Sequence, residues 1–225
     1  LCNQLKDDTN FCKKLLRSFY VDDLITGSMT VTDAYNFVVR SVNTMNKACL
    51  PLQKWKANSD ELNKKLIDSD INVSTVIGKT TKVLGLPWDM GNDCLSINIP
   101  RCDIPNNITK RKFLSIVNGI FDPLGILAPI TVSLKIFLKR IWLKGYSWDE
   151  VLTTNDQDAA IKLLGDLKNT NTISVPRCCY PCENITSSLI KLHLFTDASE
   201  DAYSACIYVQ SGNDSNYSNR LLIAK

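Results

Sequence analysis

The sequence predicts an α+β chain, because strand-like and helix-like stretches follow one another in blocks rather than alternating regularly. Three observations carry this expectation. The run Phe19-Tyr20-Val21-Asp22-Asp23-Leu24-Ile25 is β-branched and aromatic, with two carboxylates in its middle. Apolar residues recur at helical spacing over 31 to 49, and twice more beyond 109. From Leu189 short strand-like runs return.

Composition bounds the possibilities. With 225 residues and 44% hydrophobic content, the chain can bury one large core or two small ones. Net charge is only +3 with 22% charged residues, so any affinity for nucleic acid must come from local basic patches. No apolar run reaches the length of a membrane span, and the opening Leu1-Cys2-Asn3-Gln4-Leu5-Lys6-Asp7-Asp8 lacks the regions of a signal peptide. An intracellular, non-secreted protein is expected. The absence of an initial methionine and an ending just after a strand-like segment suggest a piece of something longer.

Nine cysteines, an odd number at irregular spacing, fit reduced thiols better than a disulfide framework. Cys178, Cys179 and Cys182 followed by the single histidine, His193, raise the question of zinc, but the second ligand pair of a structural site is missing. An ordinary cysteine-rich loop is the simpler reading. The sequons at Asn107 and Asn184 are expected to be unglycosylated without a secretory signal.

Taken in order, residues 1 to 15 suggest a helix through Phe11, Leu15 and Leu16. It leads into a hairpin with Asp22-Asp23 at its tip. Buried carboxylates need a partner, and a hard divalent cation such as Mg²⁺ would supply one. Strand alternation would aim only one of the two, Asp22, directly at it. A solvated turn is the other reading. Gly27 ends the second strand, and Thr30-Val31-Thr32-Asp33 has the form of a helix cap. Ala34, Phe37, Val38, Ser41, Val42, Met45 and Cys49 then mark an amphipathic helix over 31 to 49 that would pack behind the hairpin.

Pro51 stops that helix, and a short strand follows. In it Trp55 stands between Lys54 and Lys56, and could stack on a base while the cations meet phosphates. A half-buried strand tryptophan with solvated neighbours explains the same spacing. Asp60-Glu61 opens a short helix, and Gly78 closes a loop. The runs 82 to 89 and 94 to 99 form a hairpin around Met90-Gly91-Asn92-Asp93. Pro87 would put this hairpin at a sheet edge, where Gly85 lets another backbone come close.

From 109 the pattern is helical and basic. Thr109 would cap a helix with Lys110, Arg111 and Lys112 outward and Phe113, Leu114, Ile116, Val117, Ile120 and Phe121 inward. After Asp122-Pro123-Leu124-Gly125 a second helix begins near Pro129, with Leu134, Phe137, Leu138, Ile141 and Trp142 inward and Lys135, Lys139, Arg140 and Lys144 opposite. The shared basic exterior is either a phosphate-tracking surface or a solvated face. A helix from about 155 to 168 turns Ala159, Leu163, Leu164 and Leu167 inward. Residues 169 to 188 read as a linker. The final runs, 190 to 195 and 202 to 209, suggest antiparallel strands around Asp197-Ala198-Ser199.

Tyr20-Val21-Asp22-Asp23 resembles the palm signature of reverse transcriptases, and its extension through Gly27 is similar to that of BEL/Pao long-terminal-repeat retrotransposons. The Lys54-Trp55 to Asn58-Ser59 stretch, Leu84-Gly85 to Trp88, and above all Phe121-Asp122-Pro123-Leu124-Gly125-Ile126-Leu127-Ala128-Pro129-Ile130 resemble the same proteins. Asp197-Ala198-Ser199 is similar to the opening of an RNase H domain. The resemblance implies part of a reverse-transcriptase palm over 1–108 with a primer-gripping hairpin, a helical thumb and connection over 109–168, a linker at 169–188 and a truncated RNase H start over 189–225. It further implies two-metal Mg²⁺ chemistry at Asp22, Asp23 and Asp197. Trp55, Lys54, Lys56, Gly85, Lys110, Arg111, Lys135 and Lys139 would contact an RNA template and an RNA:DNA or DNA duplex, with the rest of a Pol polyprotein as a further partner.

The family's third palm aspartate lies upstream of the hairpin, and only Asp7 and Asp8, in a polar helix-like stretch, precede it here. The expectation is therefore a polymerase fragment inactive alone. One alternative is a nucleic-acid-binding remnant without chemistry. Another is a peptidase, since part of the BEL/Pao polyprotein around the Phe-Asp-Pro-Leu-Gly segment carries a retrotransposon-peptidase label. Aspartic proteases need paired Asp-Thr/Ser-Gly loops, and this sequence has none.

Overall fold

A computed structural model describes residues 9–74, 80–100, 103–179, 190–213 and 216–225. It is a mixed α+β chain, as the sequence predicts, with six helices and several antiparallel sheets among the described residues. It divides into two compact units, Leu1–Thr81 and Lys82–Lys225.

In the first unit, α1 (Thr9–Ser18) runs directly into the hairpin of β1 (Phe19–Tyr20) and β2 (Asp23–Leu24). The helix α2 (Val31–Lys47) follows, opened by Thr30, whose hydroxyl accepts the Asp33 N–H at 3.1 Å. One apolar cluster joins Phe11 and Leu15 of α1 to Phe37 of α2, with Phe19 and Leu24 packed against it. The Phe11 and Phe37 rings lie 5.5 Å apart, so the base of the hairpin is fixed by aromatic packing. The expected stripe of α2 holds through Phe37, Val38, Ser41 and Met45. Cys49 departs from it. It lies past the helix end, exposed, at φ 57°, where the chain has already turned away.

The helix α3 (Asp60–Asp68) is capped by Ser59, whose hydroxyl accepts the Leu62 N–H. Leu62 and Leu66 pack against Val38, with Trp55 and Val73 at the margin of the same cluster. Gly78 lies outside the described residues.

Among the described residues the second unit carries two sheets and three helices, the first strand beginning in the last residues of the first unit. The strands β3 (Thr80–Val83), β4 (Leu86–Asp89), β5 (Cys94–Ile97) and β6 (Ile173–Pro176) form a sheet in that order. Two expectations are corrected here. The run from Lys82 to Asp89 is not one strand, because Leu84 and Gly85 both adopt positive φ, 48° and 86°. This is the backbone of a two-residue hairpin turn. It folds β3 back along β4, so Pro87 sits in an inner strand rather than at an edge. Residues 169 to 188 are also not simply a linker. Ile173 and Val175 pair with Ile97 and Leu95, completing the sheet with the alternation of a half-buried strand.

The helices α4 (Lys110–Asn118), α5 (Ala128–Leu143) and α6 (Thr154–Lys168) enclose the main core. Phe113 meets Phe137 edge-to-face at 5.0 Å, and Ile141, Leu164 and Leu167 are fully buried around them. The expected inward face of α6 holds at Leu163, Leu164 and Leu167, and only its first position differs. Ala160, Leu164 and Leu167 are buried, whereas Ala159 is exposed.

The last sheet is a three-stranded antiparallel meander of β7 (Ile190–Ala198), β8 (Tyr203–Asn213) and β9 (Asn216–Ala224). Its first strand is exposed almost throughout, including Leu192, Leu194 and Phe195.

Candidate functional site

At the acidic hairpin, Phe19 pairs with Leu24 and Tyr20 with Asp23, leaving Val21 and Asp22 as the two-residue turn. Val21 stands at φ 56° and is 87% exposed, a strained position for a β-branched side chain. Asp22 and Asp23 are both exposed. The argument from burial therefore fails, since solvent already satisfies these carboxylates. What the hairpin does provide is two oxygen-donor side chains at a tip whose base is held by Phe19 and Leu24. Among the described residues no group of three His, Cys, Asp or Glu side chains converges as a metal cage would. Asp7 and Asp8 lie outside the described residues.

Asp197 stands near the end of β7, opposite Ser204, and is exposed, with its Oδ1 accepting the Ala198 N–H at 2.9 Å. His193 shares its face of the sheet and pairs across to Gln210 at 2.8 Å. Cys178 and Cys179 are half-buried, and burial pushes the Cys179 thiol up, away from the thiolate that zinc requires. Cys182 and the sequon at Asn184 fall outside the described residues.

The expected nucleic-acid contacts divide into two groups. Trp55 packs with Val38, Leu62 and Val73; its backbone N–H donates to the Asn72 carbonyl and its carbonyl accepts the Ser74 N–H, at 3.0 Å each. The indole is half-buried in that cluster, which is the strand-tryptophan reading of its spacing. Lys54 is exposed at φ 60°, and Lys56 donates to the Thr81 hydroxyl. At Gly85 the close approach is made by a side chain. An added Cβ would lie 2.9 Å from the Phe121 ring, which fills the space assigned from sequence to a nucleic-acid backbone. Phe121 accordingly sits outside its helix and half-exposed, not inward.

Lys110 and Arg111 do not point outward as free cations. Lys110 is only 8% exposed, with its ammonium 4.9 Å from the Trp142 ring centre and 5.1 Å from that of Trp148. Arg111 forms a two-pronged ion pair with Asp149, at 2.8 and 3.0 Å, and stacks over Trp148. The pair holds the Asp149 carboxyl below its ordinary range and raises the Arg111 guanidinium. Lys112 donates to the Asn107 carbonyl at 3.1 Å. Lys135 and Lys139, by contrast, are exposed one turn apart on α5, and neither has a partner among the described residues.

Three features lay beyond the sequence reading. The Asp122 carboxylate accepts the Ile126 and Leu127 N–H groups at 3.0 and 2.7 Å, closing the turn into α5 where Leu127 offers no side-chain cap. Gly125, at φ 71°, lies so close to β9 that an added Cβ would fall 1.8 Å from the Ala224 oxygen. The neighbouring Leu124 carbonyl accepts the Ala224 N–H at 2.8 Å. The specific-looking Phe-Asp-Pro-Leu-Gly segment is thus a joint between helices and sheet. The turn-forming residues signalled a break in the chain, but nothing in their order names the strand they meet.

The third feature is the Asp156 carboxylate near the start of α6. It accepts from Lys144 at 2.7 Å, from the Tyr146 hydroxyl at 2.6 Å and from the Thr153 hydroxyl at 3.2 Å. These donors hold its carboxyl below the ordinary range, Lys144 first.

Comparison with curated proteins and with solved structures returns no significant match. A family model, the Pao retrotransposon-like RNaseH-like domain, matches residues 109–225, which is more than half of the sequence. The match begins at the residue that caps α4 and takes in the Asp122 turn, the helices and the terminal meander, and the chain belongs to this Pao retrotransposon family.

Proposed function

We propose that the chain is a piece of a retrotransposon RNA-directed DNA polymerase, inactive alone. In this reading the palm part spans 1–108, thumb and connection 109–168, and the first RNase H strands 189–225. The observation that carries it is the family match over 109–225 in one chain with an exposed Asp22-Asp23 hairpin tip. Asp22 and Asp23 would hold Mg²⁺ in the polymerase part, and Asp197 in the RNase H part, each offering the oxygen donors this cation takes. Bound there, the metal supplies charge stabilisation at a reacting phosphate. The chain's own contribution is to hold the two palm carboxylates side by side on a hairpin fixed by Phe19 and Leu24.

A primer-extension assay with Mg²⁺ tests the reading. No incorporation is expected from the isolated chain, and nucleotide addition by it would overturn the claim of inactivity.

A second reading, a non-catalytic binder of RNA:DNA hybrid, is favoured by the two exposed lysines on α5. It requires steeply salt-dependent hybrid binding. Replacing Lys135 and Lys139 by Ala would lower the salt slope by about one per contact. No helix among the described residues is long and apolar enough to cross a membrane.

A further inference from the structure

Trp142 and Trp148 are the least expected surface residues of the second unit. The helical spacing of α5 turns Trp142 inward, yet it is 41% exposed, and Trp148 is 44% exposed. The two rings meet edge-to-face at 5.3 Å, and the Lys110 ammonium sits over both. Edge-to-face packing, Lys110 and the Arg111 guanidinium over Trp148 take up part of the two rings, and the exposed remainder of each is open to a partner.

Lys110 has no anionic partner among the described residues, although it is more than nine-tenths buried. Burying a cation without a counter-charge is costly, and attraction to two indole faces offsets only part of that cost. The acidic side chains that follow Trp148 in the chain do not make up the difference. Asp149 is neutralised by Arg111, and Glu150 turns its carboxylate to the Ser147 N–H at 2.8 Å. Lys110 also occupies the first turn of α4, where the helix dipole favours an anion, although the Arg111 and Lys112 N–H groups are already taken by the Trp148 carbonyl and the Thr109 hydroxyl.

The helix α5 supplies the direction. Residues 135, 139 and 142 are separated by four and then three positions, so they share one ridge of the helix. Two exposed lysines therefore lead along α5 to the exposed indole pair. A row of cations ending in aromatic faces with a further buried cation between them matches an alternation of phosphates and bases, not an apolar protein segment.

We infer that Trp142, Trp148 and Lys110 form a stacking site for single-stranded nucleic acid, in which an unpaired base lies on the indoles and its phosphate meets the Lys110 ammonium. Lys135 and Lys139 track the strand as it approaches. The inference rests on the nucleic-acid reading above and adds to it a subsite for an unpaired strand, distinct from the acidic hairpin.

The test is fluorescence titration of the whole chain with a short oligothymidylate at low salt. Two of the four tryptophans stand in the site, so binding should quench emission. Trp142→Leu or Trp148→Leu should each weaken binding about tenfold. Lys110→Met keeps an unbranched side chain between the indoles and serves as the variant least disturbing to the fold. It should lower the salt slope by about one while leaving helix content by circular dichroism unchanged. The inference is overturned if the oligonucleotide does not bind, binds without quenching, or binds Lys110→Met and both indole variants as tightly as the parent chain. An RNA:DNA hybrid titrated in parallel separates the two ideas. Loss of hybrid binding with oligothymidylate quenching retained sinks the polymerase reading alone, and the converse sinks this subsite alone.

Discussion

Replacing Gly125 by Ala should loosen the joint between the Asp122 turn and β9, and the structure sets the size of the effect. At φ 71° an alanine costs about 1 to 2 kcal/mol for the left-handed backbone alone. Its Cβ would fall 1.8 Å from the Ala224 oxygen and 2.5 Å from the Ala224 carbonyl carbon, so backbone rather than a flexible side chain must move. That movement breaks the Ala224 to Leu124 hydrogen bond, a further loss of about 1 kcal/mol. The expected local destabilisation is therefore about 2 to 3 kcal/mol. Gly145→Ala is the control, because Gly145 has nearly the same φ, 76°, and nothing within 4 Å of an added Cβ. It should cost only the backbone part. Hydrogen exchange at the Ala224 and Lys225 amides is the readout, since local opening at β9 accelerates it without global unfolding. Equal exchange in the two variants would refute the close approach as the reason for glycine at 125.

Three further outcomes follow from other parts of the molecule. Val21→Gly relieves a β-branched residue of positive φ and should stabilise the acidic hairpin by about 1 kcal/mol, read as slower exchange of the Ile25 amide bonded to Ser18. Unchanged or faster exchange would contradict the strain. The Asp156 carboxyl is depressed by Lys144, Tyr146 and Thr153, so its stabilisation is fully present above the ordinary aspartate range and lost as pH falls through the lower folded value. Asp156→Asn should thus be less stable than the parent chain at neutral pH, with the gap closing in acid. A gap independent of pH in urea melts would count against the charge. Finally, the exposed apolar side chains of β7 predict self-association, and Leu194→Lys should reduce light scattering at high concentration while leaving the melting temperature within about 2 °C.

What the sequence disclosed, and what it hid, follows the range of the interactions involved. The cap at Thr30, the stripe of α2 and the acidic turn after Tyr20 are local, and each was legible from spacing. The antiparallel pairing around Asp197 was legible for the same reason. Lys110 was misread because its neighbours, Trp142 and Trp148, arrive from more than thirty residues downstream. Gly85 was misread because a turn and a strand interior both accept glycine, and only Phe121 decides between them. In α6 only the first position was misread, Ala160 being buried in place of Ala159, because the buried and polar Asp156 four residues earlier sets the inward face there. The strand at Ile173 was hidden by its length, four residues being too few to show alternation amid prolines and cysteines.

The bond between Leu124 and Ala224 joins points roughly a hundred positions apart along the backbone. Closing so large a loop carries an entropic cost that must be met before the contact gives anything back. Contacts of this span slow the approach to the native state. The helical layer, whose neighbours are near in sequence, can consolidate first, and β9 then seats against a turn that Asp122 has already shaped. Rapid refolding of the α4–α6 signal followed by slower protection of the Ala224 amide is the kinetic order this geometry imposes.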